Sequence, residues 1–301
     1  MTRAPAPFPL ERLADIPERP EDFRLLERIP LTREPQSWPL ELSPMVGDEQ
    51  PMVLLDTETT GLSADDESII ELGMVKVLYS PSAKRIVSIV DVISLYEDPG
   101  KPIPELIIEL TGITDEMVQG QRIDEAMVAS WLSDDPLVVA HNAQFDRPFF
   151  EKRFAALGHL SWACSASGID WKALGFESRK LEYLLLRLGW FYEGHRAATD
   201  CLAMAWLFHL LPESVANLLS EADRRTVLVR AFGAPFEVKD YLKERGYRWH
   251  DGVKGANKHW WREISEDELP QEQTYLDDLY HRGSEHAHYD YKDARNRFKA
   301  L

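Results

Sequence analysis

Cysteine is nearly absent from this chain: Cys164 and Cys201 are the only two in 301 residues. Two thiols make neither a disulfide framework nor a Cys-rich zinc site, so both are expected as buried thiols in a reducing cytoplasm. Long apolar runs are lacking too. No stretch approaches the ~20 apolar residues of a membrane span, and Met1–Pro7 has no apolar core of a signal peptide. The expectation is a cytoplasmic protein with no membrane role. Positive charge is in deficit, with 34 Lys and Arg against 51 Asp and Glu, a formal net charge of −17. Such a chain should hold long duplex nucleic acid poorly. Internal repeats and coiled-coil heptads are also absent.

The charge is unevenly spread. Residues 51–210 carry −11, whereas residues 211–264 carry +2. If nucleic acid is the substrate, an acidic centre suits a short single-stranded end, or delivery by a partner protein.

Four apolar residues, Met52-Val53-Leu54-Leu55, run into Asp56-Thr57-Glu58-Thr59-Thr60-Gly61. The run has the length and type of a buried strand. Side chains alternate across a strand, so Asp56 and Glu58 point one way and Thr57 the other. Unless they lie on an exposed turn, two such carboxylates either take up protons or hold a cation. Hard oxygen ligands favour Mg²⁺ or Mn²⁺. A second short apolar run, Leu137–Ala140, ends in His141-Asn142-Ala143-Gln144-Phe145-Asp146. A third segment, Gly194-His195-Arg196-Ala197-Ala198-Thr199-Asp200, leads into an apolar stretch from Cys201 to Phe208. Positions five apart on a helix are about 140° apart. His195 therefore belongs on the loop before the helix and Asp200 in its first turns, where both can reach one point.

Asp-X-Glu-Thr-X-Gly, His-Asn-X-X-Phe-Asp and His-X4-Asp, in this order, resemble the three motifs of the DnaQ-like 3′–5′ exonucleases, the DEDDh branch of the DEDD superfamily. The matching positions are Asp56, Glu58, Asp146, His195 and Asp200. Glu71-Leu72-Gly73 and Thr111-Gly112-Ile113-Thr114 also sit where the family has similar text, and the resemblance covers roughly residues 50–210. It implies a ribonuclease H-like fold and two divalent metal ions, Mg²⁺ or Mn²⁺. By the family's pattern Asp56 bridges both ions, Glu58 and Asp200 complete the site of the ion carrying the water, and Asp146 supports the second. His195 is the implied general base, a role that an imidazole suits near neutral pH. The resemblance also implies that Thr59, Thr60 and Gly61 hold the terminal 3′-OH and that Leu62 wedges against the last base. Asn142 is expected to orient the Asp146 segment. His141, Phe145 and Glu71 are expected to be structural.

The implied activity is hydrolysis at 3′ ends with release of nucleoside 5′-monophosphates. Single-stranded DNA is favoured over RNA, in proofreading or repair with a polymerase or repair-protein partner. An exoribonuclease, and an inactive scaffold acting through its C-terminal part, are the competing readings.

The expected organisation is an α/β chain with a ribonuclease H-like mixed sheet flanked by helices, plus a small C-terminal α/β module. Residues 1–50, with nine prolines, read as an extended arm with one short helix near Pro20–Arg28. Residues 51–210 form the exonuclease domain, with strands at 52–57, 68–79, 86–95, 136–140 and 162–165. Its helices are expected near 123–132, 147–157, 178–189 and 197–210. Residues 211–225 read as a helical linker and 226–264 as a Trp-rich α/β module. There Tyr247, Trp249, Trp260 and Trp261 alternate with Arg245, Arg248, Lys254, Lys258 and Arg262. Residues 265–301 read as a polar tail whose stretch from Tyr289 could be helical. Its His281, His286 and His288 are expected to be solvent-exposed.

Overall fold

A computed structural model describes residues 9–33, 36–252 and 257–299. Lys254 and both extremities of the sequence thus lie outside the described residues. The chain divides into two units, residues 1–219 with 298–301, and residues 220–297.

The first unit is built on a six-stranded mixed sheet. In chain order its strands are β1 (Glu27–Arg28), β2 (Leu40–Glu41), β3 (Gln50–Thr59), β4 (Ile69–Ser80), β5 (Arg85–Tyr96), β6 (Leu137–Ala140), β7 (Trp162–Cys164) and β8 (Trp190–Phe191). The sheet order is β2-β5-β4-β3-β6-β7, while β1 and β8 form a separate parallel pair. Strands β3, β4 and β5 run antiparallel; β6 and β7 lie parallel to β3. Helices cover both faces, so Met52, Val53, Leu54 and Leu55 are all fully buried. A strand buried on both faces reads as an unbroken apolar run.

The helix Ala197–Leu210 packs on β3, β4 and β5. Eight of its residues, from Ala197 to Phe208, are buried. Its composition is apolar all round, as a core helix requires. Gly73 explains how closely it approaches: a Cβ there would lie 2.2 Å from the Ala197 carbonyl carbon and 2.3 Å from Ala198 N. In register, Gly73 faces Asp56 and Glu71 faces Glu58. The missing side chain thus lets the start of this helix settle beside the acidic end of β3.

Several boundaries differ from expectation. The helix after β6 runs Ala143–Arg153 rather than 147–157, so Asp146 lies in its first turn. Asn142 makes this early start possible by adopting a left-handed φ of 96° at the junction. Residues near 20–28 form a short 3₁₀ turn, Pro20–Asp22, and β1. The arm is anchored, with Ile29 fully buried and Leu31 nearly so.

The second unit carries β9 (Thr226–Ala231), β10 (Arg248–His250), β11 (His259–Ser265) and β12 (Ala287–Lys292) in the order β10-β11-β9-β12, all antiparallel. The helices Lys239–Glu244 and Leu269–Leu279 supply Leu242, Leu269 and Leu276 to a core with Val227, Val229, Tyr247 and Trp260. Residues 265–297 are therefore part of this unit, not a polar tail. The stretch from Tyr289 is strand rather than helix, because Ala287 and Tyr289 alternate inward while His288 is exposed. Trp260 is core, whereas Trp249 is 51% exposed and Trp261 lies under the Arg248 guanidinium. Among the described residues no single helix is long and apolar enough to cross a membrane.

Candidate active site

At the end of β3 the period of two puts Asp56 and Glu58 on one side, both half-buried. Asp200, in the first turn of the helix Ala197–Leu210, joins them from above. One carboxylate oxygen from each of Asp56, Glu58 and Asp200 lies within 4.8 Å of the other two. Asp146 is held differently. It is 2% exposed, and its Oδ1 accepts from Thr57 N at 3.0 Å and Thr57 Oγ1 at 2.8 Å. Thr57, the one residue of the trio that points away, therefore fixes the fourth acid against the same strand.

The segment before Asp200 is fixed from β4. Glu71 is fully buried and accepts from Ser94 Oγ at 2.6 Å, Arg196 Nε at 3.1 Å and Ala197 N at 3.2 Å. It thus satisfies a donor at the helix start and pairs with the residue beside His195. His195 itself is exposed, on the loop, with a left-handed φ of 66°. Asp200 is gripped at both oxygens: Tyr192 Oη donates to Oδ1 at 2.9 Å and Arg196 N to Oδ2 at 3.2 Å.

Burial pushes all four acids upward, and repulsion adds to it at Asp56, Glu58 and Asp146. Asp56 lies well above the usual carboxylate range, through burial first and then repulsion by Asp146, Asp200, Glu58 and Glu71. Glu58 is raised to about 8 by burial and by Asp200 and Glu71. Asp146 rises to about 7 on burial, opposed by its bonds from Thr57. Asp200 is raised by burial, opposed by Tyr192 and Arg196 N. A divalent cation would relieve both the burial and the repulsion, and an all-carboxylate donor set suits Mg²⁺ or Mn²⁺.

The RNase_T family model, described as Exonuclease, matches residues 53–208, just over half of the chain. The chain belongs to this exonuclease family, in its DnaQ-like 3′–5′ branch. The PolC-type DNA polymerase III of Bacillus subtilis is 35% identical over 170 residues, which is 53% of this chain and 11% of that protein. The Halalkalibacterium halodurans protein of the same name is 42% identical over 108 residues, 35% of this chain and 7% of that protein. The chain thus spans a small part of the length of these curated relatives. Among solved structures, Exonuclease X in complex with 5′ overhanging duplex DNA is 22% identical with a TM-score of 0.43, covering 56% of this chain and 98% of that one. The nuclease domain of 3′hExo, a DEDDh family member bound to rAMP, is 18% identical with a TM-score of 0.43, covering 56% and 94%.

In this member of the family the loop after β3 is tied down. Thr59 Oγ1 donates to Gly61 O at 2.6 Å, and the buried Thr60 hydroxyl donates to Glu67 and accepts from Ser68 N at 3.1 Å. Both hydroxyl protons are therefore committed within the loop, and Thr60 N donates to Ser68 O at 2.9 Å, so the hydroxyl oxygens keep acceptor capacity only. Lys101 pairs with Glu67 at 2.7 Å. Lys152 donates to the carbonyls of Asp65 and Glu67, each at 3.1 Å, and to that of Ala64. Leu62 projects from this loop at 89% exposure. Asn142 is exposed beside Ala143 and makes no side-chain cap to the helix. Both nitrogens of His141 are engaged, by Ser165 Oγ and Arg179 O at 2.8 Å each, and burial lowers it to about 4. It is a structural group, as expected.

Sequence reasoning missed Tyr192, Arg196 and Lys152. The glycine within a strand at Gly73 was a usable signal of close backbone approach. Nothing local marked Tyr192, eight residues before its partner.

Proposed function

We propose that this protein is a metal-dependent 3′–5′ exonuclease that trims single-stranded or frayed DNA ends, releasing nucleoside 5′-monophosphates. One observation carries the reading: three acids from two separate elements converge within 4.8 Å, with His195 on the loop that enters the same helix. Bound Mg²⁺ or Mn²⁺ ions, held by Asp56, Glu58, Asp146 and Asp200, would supply charge neutralisation at the scissile phosphate and an activated water. Asp56, central to the repulsion among the acids, is assigned to both ions. His195 is assigned the proton of the attacking water at its imidazole. Its exposed position leaves the ring free to meet a substrate.

Thr59, Thr60, Gly61 and Asn142 are assigned to the terminal nucleotide, Thr59 and Thr60 through backbone and hydroxyl groups. Leu62 is assigned to the last base, since an apolar side chain 89% exposed on a tied loop suits stacking against it. The acidic chain and its polymerase-named relatives support a proofreading or repair role in the cytoplasm, with a polymerase or repair protein delivering the end.

The test is cleavage of 5′-labelled DNA and RNA oligomers by wild type and Asp56→Ala, with Mg²⁺, Mn²⁺ or EDTA. A DNA ladder shortening from the 3′ end, lost in EDTA and reduced to below about 1% in Asp56→Ala, is the expected result. A ladder on RNA alone assigns the exoribonuclease reading, and none on either polymer assigns a scaffold.

A further inference from the structure

The short segment 189–196 is fastened at both ends. At its start the N-terminal arm pairs with it: Glu27 N donates to Gly189 O at 2.9 Å and Ile29 N to Phe191 O at 3.0 Å. Arg28 lies over the Phe191 ring and pairs with Glu193 at 2.7 Å. At the other end Arg196 is tied to Glu71. Between these fastenings sits Tyr192, 9% exposed, with its hydroxyl 2.9 Å from Asp200 Oδ1. Gly194 packs against both, since a Cβ there would lie 3.5 Å from the Tyr192 ring and 3.5 Å from Asp200 Oδ1.

A carboxylate on a rotatable side chain needs a partner to stay aimed at one point. A hydrogen bond donated to one oxygen supplies it, and it leaves acceptor capacity on that oxygen for a cation. The phenol hydroxyl donates to Asp200 Oδ1 from a side chain, whereas Arg196 donates to Oδ2 from the backbone.

We propose that Tyr192 is a positioning residue for metal binding: braced by the N-terminal arm, it holds the Asp200 carboxylate toward the point it shares with Asp56 and Glu58. This rests on the metal-dependent reading given above. It gives residues 27–31 a part in the active site although they lie outside the 53–208 match.

The experiment is Mn²⁺ binding to the full chain by isothermal titration calorimetry, paired with thermal unfolding in EDTA. The proteins are wild type, Tyr192→Phe and Ile86→Val, the last a fully buried core variant on β5 whose neighbour Tyr79 pairs with Gln50, six residues before Asp56, so that it controls for general loosening away from the acids. Tyr192→Phe is expected to weaken Mn²⁺ binding about 10–100-fold, well beyond any effect of Ile86→Val. Its cleavage rate should recover as Mn²⁺ is raised to saturation. Mn²⁺ affinity unchanged, or weakened no more than in Ile86→Val, overturns the proposal. Absence of Mn²⁺ binding by wild type would instead overturn the metal-dependent reading, and this inference with it.

Discussion

Replacing Glu58 by Gln should stabilise the metal-free protein, and more so as the pH rises. Burial and repulsion by Asp200 and Glu71 raise Glu58 from 4.5 to about 8 in the folded protein. Such a group binds its proton more tightly when folded than when unfolded. Its favourable contribution is complete below pH 4.5 and drains away as the pH climbs toward about 8. Each pH unit in that window is worth about 1.4 kcal/mol, so the interval from pH 5 to pH 8 spans about 3–4 kcal/mol for a fully shielded group. Glu58 is half-buried, and solvent screening reduces this to about 1–2 kcal/mol. Gln cannot ionise and escapes the loss. At about 2–4 °C per kcal/mol for a unit of this size, the variant should gain about 4 °C more over wild type at pH 8 than at pH 5. The assay is thermal unfolding by circular dichroism in EDTA at pH 5, 6.5 and 8. Added Mg²⁺ should shrink the difference, because the cation relieves the same repulsion in wild type. An advantage equal at every pH, or a variant less stable than wild type at pH 8, would refute the electrostatic account.

Two further substitutions probe the same corner of the molecule. His195→Ala should lower turnover by roughly 10²–10⁴ while sparing affinity for a 3′ end, as loss of a general base does; single-turnover rates set against fluorescence binding separate the two. Gly73→Ala brings a methyl to 2.2 Å from the Ala197 carbonyl carbon. Displacing that helix should cost about 1–3 kcal/mol and most of the activity, read by urea unfolding and cleavage together.

What the sequence revealed depended on the range over which each signal acts. Asp56 and Glu58 share a side because a strand alternates, and four apolar residues announce that strand. The helix Ala197–Leu210 was legible because its apolar run is long and uninterrupted, and His195 and Asp200 followed from its start. The helix holding Asp146 began earlier than expected because one backbone angle, φ 96° at Asn142, sets the junction. β12 was hidden for a different reason. Polar residues fill its sequence, and its partner β9 lies more than fifty residues upstream. Tyr192 was invisible for the same reason on a smaller scale: its importance lies in where the arm holds it, and β1 pairs with β8 from about 160 residues away. Short, non-local pairings leave little periodicity behind.

Phe298 packs among the core residues of the first unit, and Lys299 donates to Gly158 O at 2.9 Å. These residues follow the whole of the second unit in sequence. During synthesis the ribosome must therefore translate residues 220–297 before it delivers the last pieces of the nuclease core. Domains generally fold in the order they emerge, but here the unit that begins first is completed only after the other has been translated. A nascent chain halted within the second unit would hold its four acids on an incompletely packed scaffold, so packing of the first unit waits on translation of the second.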